Sequence, residues 1–188
     1  MPAAGERMSF AAAPVVAMAL LNELRPEAAG AALAPLFEGA PRFLGRLVEA
    51  RPFPSWPALF ERANQIAMSM PEAEQVELVD AHPRLGAPPG RVSAMSFDEQ
   101  GYAAERPAAP APFERAAVDR ELDELNAAYE KRFGFRYCAF VHGRERAALL
   151  PEFRAALHAD RAAELRRALG DVVRIAAARY EKLAGAVR

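Results

Sequence analysis

The chain has 188 residues, of which 52% are hydrophobic and 26% are charged, as in an ordinary globular protein. This length fits one domain with a substantial core. The formal net charge is −1, with acids and bases interspersed, so the sequence gives no extended charged surface for nucleic acid or for an anionic membrane. Charge-based recognition is therefore expected in a pocket, with a small molecule as the partner.

The N-terminal segment is predicted to precede the folded domain. Residues 1–12 are interpreted as a flexible leader, and residues 13–188 as one helical domain. A proline interrupts the first apolar run early, which does not favour a signal peptide. No apolar stretch has the length of a membrane span, and the C-terminal residues do not form a Ser-Lys-Leu-type peroxisomal address. We expect a cytoplasmic protein.

Proline and apolar spacing divide the first half of the chain into short helices. Helices are predicted over residues 15–24, 27–37, 41–48, 57–70 and from 71 to just before 82. The proline-rich segment 51–57 predicts an extended turn, because each proline disfavours helix in the residue before it. Pro71 suits the first turn of a helix, and Pro83 ends that helix at or just before His82.

The second half is predicted to contain two loops followed by three longer helices. Residues 86–92 and 106–112 are rich in glycine and proline and indicate loops. Residues 113–132 indicate a helix that ends near Gly134, and 135–141 predict either a strand or an extended link. The only cysteine, Cys138, lies in that apolar run and is interpreted as a buried, inert thiol.

The last two helices have the clearest periodicity. Apolar residues recur at helical spacing in both; they are Leu149, Leu150, Phe153 and Leu157, then Leu165, Leu169, Val172, Ala176, Tyr180 and Leu183. Steps of three and four place each set on one helix face. With no alternation of strands and helices along the chain, the predicted fold class is all-α, in a single compact multi-helix domain.

His82 is the histidine with the strongest functional signal. The three histidines do not have the spacing of a zinc site, and His142 and His158 lie in polar surroundings that indicate solvated side chains. His82 stands where a helix breaks at Pro83, so its side chain can project from a rigid element into a pocket. The alternative is that a helix C-terminus simply favours an imidazolium.

Two further segments carry polar residues at helical spacing. Ser96 and Glu99 have the spacing of a capping box, which explains them without catalysis, although a helix N-terminus also suits an anionic substrate. Asn126, Tyr129 and Phe133 share one helix face, and hydrogen bonds within the core explain this Asn and Tyr without a ligand.

Taken together, these segments resemble the 2-oxo-4-hydroxy-4-carboxy-5-ureidoimidazoline (OHCU) decarboxylase family, from about residue 15 to 183. The matching pieces are Phe37-Glu-Gly-Ala-Pro41, Arg51-Pro-Phe53, Ala81-His-Pro-Arg-Leu-Gly86, Ser96-x-x-Glu99-Gln100 and Leu125-Asn-x-x-Tyr-x-x-Arg-Phe-Gly-Phe135, followed by Glu164, Ile175 and Arg179. Each piece alone is unspecific, whereas five in order at compatible spacing are specific.

The resemblance implies an all-helical carboxy-lyase that converts OHCU to (S)-allantoin in urate breakdown, without a metal or an organic cofactor. It implies that His82 and Glu99 are catalytic. It also implies a substrate-binding set, with the main chain of 135–139 against the substrate ring, and this set is Pro83, Ser96, Gln100, Phe135, Tyr137 and Ala139. Many members of the family are dimers, so a homodimer is expected.

The chain departs from the family pattern at its anion-binding position. Ala156 and Ala159 replace the arginine and asparagine of an Arg-Leu-x-Asn segment. Arg154 is two residues away, about 200° round a helix, so Arg136, which replaces a family proline, is added to the candidate substrate-binding residues. Another departure is Arg42 at a position where tryptophan is common.

Two other functions are kept open. One is an enzyme acting on a different imidazoline or ureido acid, which the loss at position 156 favours. The other is a non-catalytic helical binding or scaffold protein, in which His82 is only a helix-end residue.

Overall fold

A computed structural model describes residues 15–87, 95 and 112–185, and these ranges consist of helices joined by turns and extended links. The helices of the described residues are α1 (Met18–Glu23), α2 (Pro26–Leu33), α3 (Pro41–Glu49), α4 (Trp56–Ser69), α5 (Glu72–Asp80), α6 (Pro112–Phe133), α7 (Arg146–Ala156) and α8 (Arg161–Gly185). No strand occurs within these ranges, so the all-α prediction is confirmed. The predicted leader, residues 1–12, lies outside the described residues.

The second helix is shorter than predicted. It ends at Leu33, and residues 34–39 form turns in which Glu38 has a φ of 53°. Pro35 lacks the amide hydrogen that would continue the helix, which explains the early end. The apolar residues of this segment are nonetheless buried, with Leu36 2% and Phe37 0% exposed.

Helix α8 packs against two other helices and contributes a buried face to the core. It packs against α4 and α5, while α6 packs against α7. Its predicted apolar face is confirmed, because Leu169, Val172 and Ala176 are fully buried. In the part of the chain that the structure describes, no helix is both long and apolar enough to cross a bilayer.

Residues 135–141 form an extended link between α6 and the turn before α7, which is the second of the two predicted alternatives. An aromatic cluster around Tyr129 packs against this link. The centroid of the Tyr129 ring lies 5.7 Å from that of Phe135, 5.3 Å from that of Tyr137 and 5.8 Å from that of Phe153. Each of these three contacts has the edge-on geometry that aromatic pairs prefer. The cluster fixes the link beside the end of α5 and the C-terminal half of α8.

Candidate active site

A cavity of about 350 Å³ opens where the end of α5, the 135–141 link and the C-terminal half of α8 meet. Most of its described lining is apolar, with a few polar groups, which is the usual composition of a small-molecule site. The lining residues used below are His82, Pro83, Tyr137, Ala139, His142, Arg179 and Lys182. We call this space the His82 cavity.

His82 is buried, with 4% of its surface exposed. Its ring Nδ1 lies 3.3 Å from the carbonyl oxygen of Leu78, one turn earlier. Because a carbonyl can only accept, Nδ1 is assigned the proton and Nε2 the lone pair. Among the described residues Nε2 has no hydrogen-bond partner. A buried, unpartnered nitrogen of a residue that lines a cavity is suited to bind a ligand.

The environment of His82 keeps its imidazole neutral. Burial has the largest effect, and the nearby Arg179 guanidinium adds to it; together they lower the pKa of His82 from 6.5 to about 4. Glu38 and the hydrogen bond to Leu78 act in the opposite direction but are weaker. At neutral pH His82 can therefore accept a proton or a hydrogen bond at Nε2.

We expect this lowered pKa to make the protein less stable in mild acid. Between pH 6.5 and 4 the unfolded chain binds a proton at His82 that the folded protein does not, so stability falls as the pH falls. From pH 7 to pH 4.5 the loss due to His82 is about 2–3 kcal/mol. Urea denaturation of the wild type and of His82→Gln at both pH values measures it. An identical pH dependence in the two proteins would contradict the assigned pKa.

The chain after His82 is held against α6. Asn126 donates from Nδ2 to the carbonyl of Leu85 at 2.9 Å and to that of Leu122 at 2.8 Å. Gly86 has a φ of 82°, and a Cβ added there would lie 2.9 Å from a Leu122 methyl group. Only glycine fits this close approach without strain. The prediction that Asn126 serves the core is confirmed by these bonds.

Arg136 holds the end of α5 rather than lining the cavity. Its backbone N–H donates to the Asp80 carboxylate at 2.8 Å. Its guanidinium donates to the carbonyls of Asp80 at 2.6 Å and His82 at 3.1 Å. These carbonyls lie at a helix C-terminus, where a cation is favourable. Arg136 thus contacts the backbone of His82 from outside the described lining of the cavity.

Three of the other predicted site residues line the His82 cavity. Pro83, Tyr137 and Ala139 line the His82 cavity, whereas Phe135 is buried in the aromatic cluster beside it. Burial raises the pKa of Tyr137 to about 12, so its hydroxyl keeps its proton. The remaining predicted residues lie outside the described residues; they are Ser96, Glu99 and Gln100.

A buried ion pair that includes one residue of the cavity lining was not assigned from the sequence. Arg179 is 1% exposed and donates to the Glu38 carboxylate at 2.7 Å. It also donates to the carbonyls of Pro35 at 3.1 Å and Leu36 at 3.4 Å. The signal was an arginine on the apolar face of the last helix. His142, interpreted as solvated, is exposed as expected but also lines the cavity.

A second cavity of about 640 Å³ adjoins the first, and Tyr137, Ala139, Phe140 and His142 line both. Ala156 lines it, together with three arginines and three acids, and each of these arginines has a carboxylate oxygen within 3.1 Å; they are Arg144 with Glu152, Arg167 with Glu164 and Asp171, and Arg174 with Asp171. The charges of this cavity are therefore balanced. Arg154 pairs with Glu121 and belongs to the described lining of neither cavity.

The described residues contain no group of three or more His, Cys, Asp or Glu side chains arranged to hold a metal ion. The predicted burial of Cys138 is confirmed, with 5% of its surface exposed. Its main chain accepts a hydrogen bond from Arg167 at 3.0 Å.

Comparison with known proteins finds a family model and two relatives whose names refer to uric acid degradation. The model of the OHCU decarboxylase family matches residues 22–181. The uric acid degradation bifunctional protein of Bacillus sp. (strain TB-90) is 24% identical over 165 residues, 87% of this chain and 31% of that protein. The corresponding protein PucL of Bacillus subtilis (strain 168) is 26% identical over 156 residues, 83% of this chain and 30% of that one. The chain spans less than a third of each of these relatives.

Two solved structures share the fold. An OHCU decarboxylase crystallised in the presence of (S)-allantoin superposes with a TM-score of 0.63 at 22% identity, covering 86% of this chain and 99% of that one. An (S)-allantoin synthase superposes with a TM-score of 0.64 at 17% identity, covering 89% of this chain and 54% of that one.

Proposed function

The chain belongs to the OHCU decarboxylase family, and on this premise we propose that it converts OHCU to (S)-allantoin and CO2. The observation that supports this most directly is the buried Nε2 of His82. This nitrogen has no partner within the described residues, and His82 lines a cavity of the size of a small molecule.

The reaction requires a place for an electron pair and a place for a proton. The bond between the ring carbon and the carboxylate breaks, CO2 leaves, and the electron pair moves into the adjacent ring C=N. The 4-hydroxyl becomes a carbonyl, and a proton is added to the carbon that bears the ureido group. A second proton from water neutralises the ring nitrogen. The ring accepts the electrons itself, so we propose that no metal or organic cofactor takes part.

We propose that His82 moves the first of these protons. A neutral imidazole with a free Nε2 can accept the proton of the 4-hydroxyl and return it to the neighbouring carbon. Delivery to a single face accounts for a single enantiomer. We propose that Glu99 orients the imidazole or the hydroxyl, and that Gln100 binds the ureido group. Ser96, Pro83, Tyr137 and Ala139 complete the proposed substrate-binding set.

To test this function, OHCU is generated from urate within the assay mixture, and the formation of (S)-allantoin is followed by circular dichroism. We expect an optical signal that appears faster with the protein than without it, and at the same rate after treatment with EDTA. A rate equal to that of the uncatalysed reaction would overturn the proposed activity. A rate lost with EDTA and restored by one metal would overturn the cofactor-free mechanism.

The alternative of a different imidazoline or ureido acid is favoured by Ala156, where the family arginine is missing. We expect Ala156→Arg to raise kcat/KM on OHCU by about tenfold, since a charge-assisted hydrogen bond contributes about 1.5–3 kcal/mol. The second cavity has room for this side chain. Ala147→Arg places the same group at an exposed position of α7 outside the described lining of both cavities and is the control. OHCU turnover at background in both the wild type and Ala156→Arg would favour the different substrate.

The remaining predictions concern the whole protein. We propose a cytoplasmic homodimer in which residues 13–188 form one catalytic domain, on the basis of the sequence and the family resemblance. Sedimentation equilibrium of the purified protein tests the dimer.

A further inference from the structure

The end of helix α5 needs hydrogen-bond donors from another part of the chain. The last carbonyls of a helix have no partner within the helix itself. Helix α5 ends at Asp80, and the amide of His82 donates to the carbonyl of Val79 at 3.1 Å. Pro83 follows and has no N–H, so the chain cannot supply a further donor at that position. Donors for the carbonyls of Asp80 and His82 are therefore expected elsewhere in the fold.

Arg136 supplies these donors from the extended link. Its Nη1 lies 2.6 Å from the carbonyl oxygen of Asp80 and 3.1 Å from that of His82. Its backbone amide donates to the Asp80 carboxylate at 2.8 Å. We call these three hydrogen bonds the Arg136 clamp. A proline, which the family resemblance implies at this position, would supply neither the amide nor the guanidinium, so the clamp is a feature of this chain rather than of the family pattern.

The Arg136 clamp joins two walls of the His82 cavity. The end of α5 contributes His82 and Pro83 to the lining, and the link contributes residues 137–143. Arg136 directly precedes the second of these segments and is itself outside the described lining. It therefore acts on the cavity through its neighbours rather than by contact with a ligand.

The direction of the His82 imidazole depends on the backbone that the clamp holds. Among the described residues the ring makes one hydrogen bond, from Nδ1 to the carbonyl of Leu78, at 3.3 Å. This distance is longer than that of most N–H···O bonds, so this bond alone holds the ring weakly. The clamp fixes the carbonyl of His82 itself, which is attached to the Cα that carries the ring. The position of Nε2 is thus coupled to Arg136.

We propose that Arg136 is a positioning residue of the active site, which holds the backbone of His82 so that Nε2 stays within reach of the substrate. This inference rests on the proposed function, because the substrate is the molecule that Nε2 has to reach. A catalytic group that is displaced by about 1 Å can lose a factor of about 10² in rate. Arg136 acts through His82, so its loss affects the chemical step more than substrate binding.

The test compares Arg136→Met with Arg136→Lys. Methionine keeps an apolar stem but no donor, and we expect kcat for OHCU to fall about ten- to a hundredfold with a much smaller change in KM. Both guanidinium bonds come from Nη1, so the single ammonium of lysine can replace them, and we expect Arg136→Lys to recover most of the loss. Arg154→Met removes an exposed arginine that pairs with Glu121 and is the matched control, expected to behave as the wild type.

NMR of the imidazole nitrogens tests the position of the ring directly. In the wild type we expect His82 to populate one tautomer, with the proton on Nδ1. In Arg136→Met we expect a mixture of both tautomers, because the bond to Leu78 is no longer held in place, and in Arg136→Lys we expect the single tautomer to return. Urea denaturation checks that each variant is folded. Asp80→Ala removes only the acceptor of the Arg136 amide, and we expect it to lower kcat by a smaller factor.

Three results would overturn the proposal while leaving the function intact. The first is a wild-type kcat in a folded Arg136→Met or, if that variant does not fold, in Asp80→Ala. The second is an Arg136→Lys variant as slow as Arg136→Met. The third is a raised KM at constant kcat, which would assign Arg136 to substrate binding.

An inactive wild type would overturn the proposed function, and the tautomer then tests Arg136 without turnover. A single Nδ1 tautomer of His82 that is lost in Arg136→Met and restored in Arg136→Lys supports the Arg136 clamp as the device that holds the ring. The same tautomer in all three proteins overturns it.

Discussion

Replacement of His82 by alanine is expected to lower kcat for OHCU by about 10²–10⁴-fold, the usual contribution of a positioned general acid–base group. The imidazole is the one group of the described cavity lining that combines a buried site, a neutral charge at pH 7 and an unpartnered nitrogen. Alanine removes the imidazole that we propose accepts and returns the proton. It leaves the α5 end in place, because Arg136 and Asn126 hold the flanking carbonyls.

The fold of this variant is expected to remain intact. Among the described residues the His82 ring makes one hydrogen bond, to Leu78, and its Nε2 is a buried polar atom without a partner. Far-ultraviolet circular dichroism and urea denaturation at pH 7 check the fold. His158→Ala removes an exposed histidine beyond the end of α7 and is expected to retain wild-type activity. Equal rates for His82→Ala and the wild type would remove His82 from the mechanism.

The helices could be predicted because their signals are local. The apolar spacing of α8 and the prolines at 41, 71 and 83 set element boundaries within a few residues of those observed. The burial of Asn126 and Tyr129 also followed from spacing. Tyr129 donates to Glu164 at 2.9 Å, so its hydroxyl is satisfied within the core, as the sequence indicated.

Contacts between distant residues could not be predicted in the same way. Glu38 and Arg179 are 141 positions apart, and the sequence around either residue does not indicate that the two form an ion pair. Arg136 was a candidate for substrate binding because it is charged and lies in the segment 135–139, which is expected against the substrate ring. Its observed direction, towards the carbonyls that end α5, depends on how the link packs against that helix. The direction of a long side chain is a tertiary property.

The ion pair between Glu38 and Arg179 connects the fold to the chemistry of His82. It joins the turn after α2 to α8 at the His82 cavity, and both members influence the pKa of the imidazole. Arg179 lowers the pKa of His82 and Glu38 raises it, so the two effects partly cancel. The pair therefore shifts the pKa of His82 less than the Arg179 guanidinium alone would.

Arg179→Met is expected to destabilise the protein by about 3–5 kcal/mol, because it leaves the Glu38 charge in a nearly buried site without its partner. The hydrogen bonds from the guanidinium to Glu38, Pro35 and Leu36 are lost at the same time. Urea denaturation at pH 7 measures the change. The same substitution removes the cation that lowers the pKa of His82, so that pKa is expected to rise, which NMR titration of the ring follows.

The double variant Glu38→Gln/Arg179→Met separates the two causes of this loss. It removes both charges of the pair, and we expect it to recover a large part of the stability lost in Arg179→Met. The part that is not recovered measures the hydrogen bonds from Arg179 to the turn after α2. If the double variant is as unstable as Arg179→Met, the guanidinium acts through those carbonyl contacts, and its pairing with Glu38 contributes little to the fold.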